Sequence, residues 1–237
     1  MVTVKKITKK KLREPDEFIT FTQRAYLFIT QHSKKIMIGA IVVFVLLLTT
    51  LIYQRWERKN EEDASRKFSS SMEIYQMASS PYQEGSASGY KAVLEKFDEI
   101  IAKFPRTSSG KLSLLYKGNV HLWLGEFEEA AKSYQTFLER GLKEKLYRLL
   151  ATEGLGYAHE GKKEYEKALQ AFQKIVEEGE TFQSANAYLS IGRCYERLGK
   201  NKEALENYKA FLKASQKSMM TNAMLRKISI LENLVGQ

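Results

Sequence analysis

The sequence has 237 residues, of which 43% are hydrophobic, and it carries a formal net charge of +10. Its single cysteine, Cys194, excludes an internal disulfide and a cysteine-rich zinc site, and we expect this side chain to be buried in a helix. The low proline count and the abundance of helix-forming residues favour an all-helical chain. The positive charge is densest in residues 1–35, and residues 65–237 carry mixed charges, so we do not expect that domain to bind nucleic acid.

Residues 1–35 are predicted to form a basic tail that contains one short amphipathic helix. Phe18, Phe21 and Phe28 recur at helical spacing after Pro15, which suits the start of a helix. Such an apolar stripe with basic flanks suits the headgroup layer of a membrane. It also suits docking on a partner protein, and the sequence leaves both interpretations open.

Residues 36–54 are predicted to form a single transmembrane helix. This stretch contains no charged residue, and about 20 apolar residues are long enough to cross a bilayer. A cleaved signal peptide does not fit, because the preceding tail is too long and no cleavage pattern follows. Positions along the predicted span are Ile36, Gly39, Phe44, Leu48 and Tyr53. The lysines and arginines of the whole tail favour a cytoplasmic N-terminus. Those within about 20 residues of the span favour the opposite orientation, so charge alone leaves the orientation open.

A pattern with a period of 36 to 38 residues follows the span. Glycines at 118, 154 and 192 precede alanines at 130, 168 and 204 by 12 or 14 residues, and an aromatic follows each alanine by four. Small residues let paired helices approach, and an aromatic one turn later fills the space between pairs. This interpretation places a two-residue insertion near Lys162–Lys163, and it predicts that Gly125 and Gly199 end first helices. A bundle of unrelated amphipathic helices is the alternative.

The sequence contains no constellation that predicts catalysis. None of the histidines, His32, His121 and His159, lies at metal-ligand spacing from another histidine or cysteine. The carboxylates that begin second helices, such as Glu128 and Glu129, suit the helix dipole better than acid–base chemistry. We therefore expect no enzyme, no metal, no cofactor and no small-molecule substrate.

The periodic residues resemble the tetratricopeptide repeat family. Residues 187–214 carry the clearest match, residues 111–142 and 147–178 match nearly as well, and residues 65–106 resemble a degenerate first unit. The predicted fold class is all-α, with an N-terminal transmembrane helix, a tetratricopeptide-type α-solenoid of three to four helix pairs and a capping helix. The predicted segments are a tail at 1–35, the span at 36–54, a helical extension with the degenerate repeat at 55–106, three repeats at 107–217 and the capping helix at 218–237.

In that family, first-helix positions line the concave face that binds partners. The resemblance therefore implies a protein-binding groove, with Trp123 as the expected anchor. The groove positions are Leu115, Asn119, Leu122 and Trp123 in one unit, Arg148, Ala151, Leu155 and His159 in the next, and Asn186, Leu189, Arg193, Glu196 and Arg197 in the third.

The order of segments, with the stretches 26–43 and 224–234, resembles the bacterial family that includes the ancillary subunit of the SecYEG translocon. The resemblance implies a single-pass protein of the bacterial inner membrane, with a cytoplasmic N-terminus and a periplasmic repeat domain. The implied partners are the translocon, a membrane-anchored chaperone, and unfolded or secreted client proteins. One alternative is a membrane-tethered scaffold for another envelope machine, for cell division or outer-membrane assembly. Another is a catalytic or regulatory domain that faces the cytoplasm.

Overall fold

The computed structural model describes residues 17–79, 86–179, 182–215 and 220–236. Within these residues the chain forms ten α-helices and no strand, so the all-α prediction is confirmed. Residues 1–16 of the predicted basic tail lie outside the described residues. The helices are α1 (Glu17–Gln31), α2 (Ser33–Ala78), α3 (Ser86–Lys103), α4 (Ser108–Trp123), α5 (Phe127–Arg140), α6 (Lys145–Gly161), α7 (Tyr165–Glu177), α8 (Phe182–Arg197), α9 (Asn201–Ala214) and α10 (Thr221–Val235).

The first of two compact units, residues 1–56, contains α1 and the first part of α2. The apolar stretch 36–54 lies in α2, and all of its large hydrophobic side chains are exposed. By length and composition, α2 is long and apolar enough to cross a membrane. Phe21 and Phe28 of α1 are also exposed.

The second unit, residues 57–237, is a succession of helix pairs. The part of α2 after residue 56 packs against α3 through an aromatic contact between Phe68 and Phe97. The pairs α4–α5, α6–α7 and α8–α9 follow, and α10 packs on α9. Contacts run between consecutive helices and between α4 and α6 or α6 and α8, which is typical of a repeat stack.

One aromatic ring occupies the centre of each layer of this stack. The side chains of Phe97, Tyr134, Phe172 and Tyr208 are completely buried, at a spacing of 37, 38 and 36 residues. A small residue, valine or alanine, lies one helical turn before each ring and is equally buried. The predicted alanine–aromatic series is therefore confirmed as the periodic core of the stack.

The glycines that face three of these rings correct the predicted register of α6. A Cβ added to Gly118 would lie 2.7 Å from the Tyr134 ring, and one on Gly192 would lie 2.6 Å from Tyr208. The residue that faces Phe172 in the same way is Gly156, at 2.5 Å, whereas Gly154 faces Tyr134 of the preceding layer. The predicted equivalence of Gly154 with the other two glycines is wrong by two residues.

With Gly156 in place, each of the three glycines precedes its alanine by 12 residues. The predicted insertion near Lys162–Lys163 is therefore wrong, because all three inter-helix turns have three residues. The extra two residues lie earlier, between the aromatic of α5 and the glycine of α6. Gly125 and Gly199 end first helices as predicted, with φ of 73° and 72°, and Lys163 takes the same left-handed conformation in the middle turn.

Side-chain caps fix the start of α4. The Thr107 hydroxyl accepts a hydrogen bond from the Gly110 N–H at 3.0 Å and donates one to the Phe104 carbonyl at 2.8 Å. Glu61 of α2 accepts from the Ser108 N–H at 2.9 Å, which satisfies another free N–H of the first turn. In α8, two helix pairs further along the stack, Cys194 is fully buried, and burial raises the pKa of its thiol to about 12.

Candidate protein-binding surfaces

The corrected register defines a first-helix face on α4, α6 and α8. The residues that directly follow the three layer glycines are Asn119, Tyr157 and Arg193, and they occupy equivalent positions. Five positions after each glycine come Trp123, Gly161 and Arg197. We call this set of six positions the first-helix face.

Hydrogen bonds hold several side chains of the first-helix face in place. The Tyr134 hydroxyl donates to the Asn119 amide oxygen at 2.6 Å. Arg193 of α8 donates two hydrogen bonds, both 2.7 Å, to the Glu160 carboxylate of α6. This bidentate pair raises the pKa of the Arg193 guanidinium and ties neighbouring first helices together.

A partly buried acid lies beside this pair. The Tyr157 hydroxyl donates to the Glu153 carboxylate at 3.2 Å, and burial raises the pKa of that carboxyl. Burial also raises the pKa of the Tyr157 phenol. The centre of the first-helix face is therefore a hydrogen-bonded polar network in which Arg193 is paired with Glu160.

The groups of the first-helix face that stay accessible are Trp123 and Arg197. The Trp123 side chain is 69% exposed, although large aromatic side chains usually bury most of their surface. Arg197 borders a small recess of about 280 Å³ together with Tyr157, Tyr165 and Glu160. Within the described residues the Arg197 guanidinium has no ion-pair partner. An aromatic anchor and a free guanidinium are groups that commonly carry binding energy at interfaces.

Four predicted groove positions serve the core instead. Ala151 is completely buried in the hydrophobic cluster that contains Tyr134. Leu115 and Leu189 are only 3% and 9% exposed and belong to hydrophobic clusters. Leu122 is half-buried against one of the same clusters. These leucines pack the stack and have little side-chain surface to offer a partner.

The register error moved the predicted positions of the middle unit to another face. Arg148, Leu155 and His159 do lie together, but they line a different surface. This surface is a groove of about 670 Å³ that is formed by residues of α5, α6 and α7. A shift of two residues turns a position about 200° around an α-helix, which accounts for the change of face. Glu153, Tyr157 and Glu160 were missed for this reason.

Asn186 lies apart from the other predicted positions. It borders a third recess, of about 920 Å³, formed with Tyr188 on the same helix and Ala210 and Lys213 on α9. The sequence-based groove is thus distributed over several surfaces, and the structure brings together Arg193 and Arg197 on α8 and, separately, the three positions of α6.

The histidines of the stack serve the turns between helices. His121 Nδ1 lies 2.6 Å from Glu126 Oε2, and His159 Nδ1 lies 2.7 Å from Glu164 Oε2, five residues apart in both cases. The bond from His159, with help from Lys167 and Lys162, lowers the pKa of Glu164 to about 2. Among the described residues no group of three or more His, Cys, Asp or Glu side chains could hold a metal ion.

A family model described as a tetratricopeptide repeat-like domain matches residues 27–233. The chain belongs to this family. No curated protein sequence matches the chain. The repeat stack described above is therefore a tetratricopeptide repeat-like solenoid, a fold that typically presents extended surfaces to protein partners.

Solved structures show the same fold at low sequence identity. A tetratricopeptide repeat protein from Parabacteroides merdae is 18% identical with a TM-score of 0.58, and the match covers 74% of this chain and 61% of that one. A MamA protein is 17% identical with a TM-score of 0.56, over 73% of this chain and 84% of its own. MamA of Desulfovibrio magneticus, from residue 41 onward, is 17% identical with a TM-score of 0.53, and the match covers 69% of this chain and 82% of that one. At these identities the similarity concerns the fold alone.

Proposed function

We propose that this tetratricopeptide repeat-like protein is a membrane-anchored adaptor that binds other proteins through its first-helix face. The main support for a membrane anchor is the apolar stretch 36–54, because in water its exposed side chains would form a continuous apolar surface. Trp123 and Arg197 are the groups of the face that remain free to contact a partner.

The proposed location is the bacterial inner membrane, with the N-terminus in the cytoplasm and the repeats in the periplasm. There the adaptor assists the Sec translocon and periplasmic chaperones in the trafficking of secreted proteins. Support for this location and these partners comes from the sequence resemblance in residues 26–43 and 224–234 to the ancillary translocon subunit family.

Site-specific photocrosslinking in cells tests the partner. A photoreactive amino acid at Trp123 or Arg197 is expected to give adducts with translocon or chaperone subunits, and the same probe at the exposed Lys202 of α9 is expected to give few. Adducts with division or outer-membrane assembly proteins alone would replace this proposal by the scaffold alternative. Equal adducts from Lys202 would remove the first-helix face as the binding surface.

Protease added to spheroplasts tests the orientation. We expect the repeat domain to be digested while the outer face of the inner membrane is accessible, and the cytoplasmic tail to be protected. A repeat domain that survives until the membrane is lysed faces the cytoplasm and contradicts the periplasmic location.

A further inference from the structure

The groove between α5 and α7, here called the α5–α7 groove, has an unbalanced charge. It holds about 670 Å³ and is lined by five lysine or arginine side chains but by one carboxylate, that of Glu128. Lys162 is paired with Glu128 and lies 3.3 Å from Glu164, which also lies 3.3 Å from Lys167. These two lysines are therefore neutralised within the chain.

Three cations of the α5–α7 groove are left without an acidic partner, one from each helix. Within the described residues, Lys132 of α5 and Lys174 of α7 make no ion pair. Among the same residues, Arg148 of α6 donates a side-chain hydrogen bond only to the Leu138 carbonyl, at 2.9 Å. Three positive charges around one recess repel each other, so an anionic occupant lowers the energy of the folded chain.

The other lining groups suit a polypeptide. Gln135 on α5 and Gln170 on α7 each offer an amide donor and acceptor, as the backbone of an extended chain requires. Leu138 and Leu155 provide apolar surface for side chains between the acidic ones. A flat membrane surface matches this recess less well than an extended chain does.

We infer that the α5–α7 groove is a second docking site, which takes an acidic, extended segment of a partner protein. The site is separate from the first-helix face, whose network balances Arg193 against Glu160. The chain would therefore hold two protein segments at once. An acidic segment is attracted to the α5–α7 groove because cations that have no acidic partner among the described residues converge there from three helices.

The test uses the full chain in nonionic detergent and a fluorescein-labelled decapeptide of glutamate, leucine and glycine. Fluorescence anisotropy is expected to show binding of this peptide and none of its counterpart with glutamine for glutamate. The variant Lys132→Glu with Lys174→Glu is expected to weaken binding about tenfold or more, because two attractive contacts become repulsive. Both side chains are exposed, so the helix content seen by circular dichroism should not change.

Lys143→Glu with Lys202→Glu is the matched control, since it makes the same change of net charge at exposed positions outside the groove. We expect it to change the affinity less than about twofold. The peptide affinity of the variant Lys132→Gln with Lys174→Gln should lie between that of the wild type and that of Lys132→Glu with Lys174→Glu. Trp123→Ala, on the first-helix face, should leave the affinity for this peptide unchanged, which separates this site from the proposed adaptor face.

Two results would overturn the inference. Equal losses in the Lys132/Lys174 and Lys143/Lys202 variants would show non-specific attraction by net charge. Peptide binding that survives the Lys132/Lys174 reversal, together with loss of binding to phosphatidylglycerol vesicles, would make the groove a lipid-binding surface.

Discussion

At the scale of single residues, glycine sets the distance between helices in the layers of Tyr134, Phe172 and Tyr208. The Tyr134 ring lies between Gly118 of its own layer and Gly154 of the next, and a methyl group on either glycine would overlap it. Phe172 approaches Gly156 in the same way. The two helices of a pair can pack this closely only because these positions lack a side chain.

Gly156→Ala tests this contact. In an open helix, alanine in place of glycine stabilises by about 1 kcal/mol. Here we expect the opposite sign, a loss of about 1–3 kcal/mol, because the Phe172 ring is buried and has little room to move. Urea denaturation followed by circular dichroism measures the change, and a stabilised variant would contradict the close contact.

Glu164→Gln tests the ion-pair network of the α6–α7 turn. The folded-state pKa of Glu164 is about 2, below its ordinary value of 4.5, so its stabilising effect is present above pH 4.5 and is lost as the pH falls towards 2. We expect the gap in unfolding midpoint between wild type and variant to be largest near neutral pH and to close by about pH 2.

The control for that measurement is Glu166→Gln, at an exposed position of α7 without an ion-pair partner among the described residues. Its effect on the midpoint should be small over the same pH range. A Glu164→Gln gap that stays constant between pH 7 and pH 2 would show that the carboxylate charge contributes nothing to stability.

At the scale of helices, the first turn of α4 depends on the residue just before it and on one side chain of α2. The Thr107 hydroxyl accepts from the Gly110 N–H, and the Glu61 carboxylate of α2 accepts from the Ser108 N–H, so a local cap and a contact from α2 together hold this helix. The Glu61 carboxylate therefore links the α2–α3 pair to the next helix of the stack.

Thr107→Ala is expected to cost about 1–2 kcal/mol of unfolding free energy, because it removes an N-cap acceptor and leaves the Gly110 N–H without a partner. Thr107→Ser keeps the hydroxyl and should cost less than about 0.5 kcal/mol. Thermal denaturation of the two variants side by side gives the difference, and equal losses would mean that the methyl group, rather than the cap, is responsible.

The alanine–aromatic periodicity was predictable from the sequence because buried rings at a fixed spacing leave a direct pattern. The register of α6 was not, because Gly154 and Gly156 both fit a small-residue position and only packing shows which ring each one faces. The uniform interval of 12 residues to the alanine favours Gly156, and this signal was present in the sequence. The charge of the α5–α7 groove escaped prediction, since its residues come from three helices.

At the scale of the whole molecule, the chain combines a stack with a closed core and a segment without one. In residues 57–237 each layer buries its apolar groups against its neighbours. In residues 1–56 the large apolar side chains that the structure describes are mostly exposed. The repeat stack is therefore suited to water and the N-terminal unit to an apolar environment. We expect a truncated chain without the N-terminal unit to behave differently from the full chain.

A fragment of residues 57–237 is expected to remain soluble and helical, whereas the full chain should stay with membranes after alkaline carbonate extraction. Val43→Arg with Leu47→Arg in the full chain should abolish this resistance, since each arginine costs about 3 kcal/mol at the centre of a span. Extraction followed by immunoblotting provides the measurement. A full chain released by carbonate without these substitutions would rule out a permanent anchor.

Because Cys194 is buried, its reaction with a thiol reagent can report when the structure around it opens. Its thiol is enclosed by α8 and the helices around it, and with a pKa of about 12 almost none of it is the reactive thiolate at neutral pH. A thiol reagent will therefore label this site only during the brief intervals when that layer comes apart. Labelling rates in native membranes, with and without a bound partner, would measure how much the partner reduces the frequency of this local opening, and no engineered probe is needed.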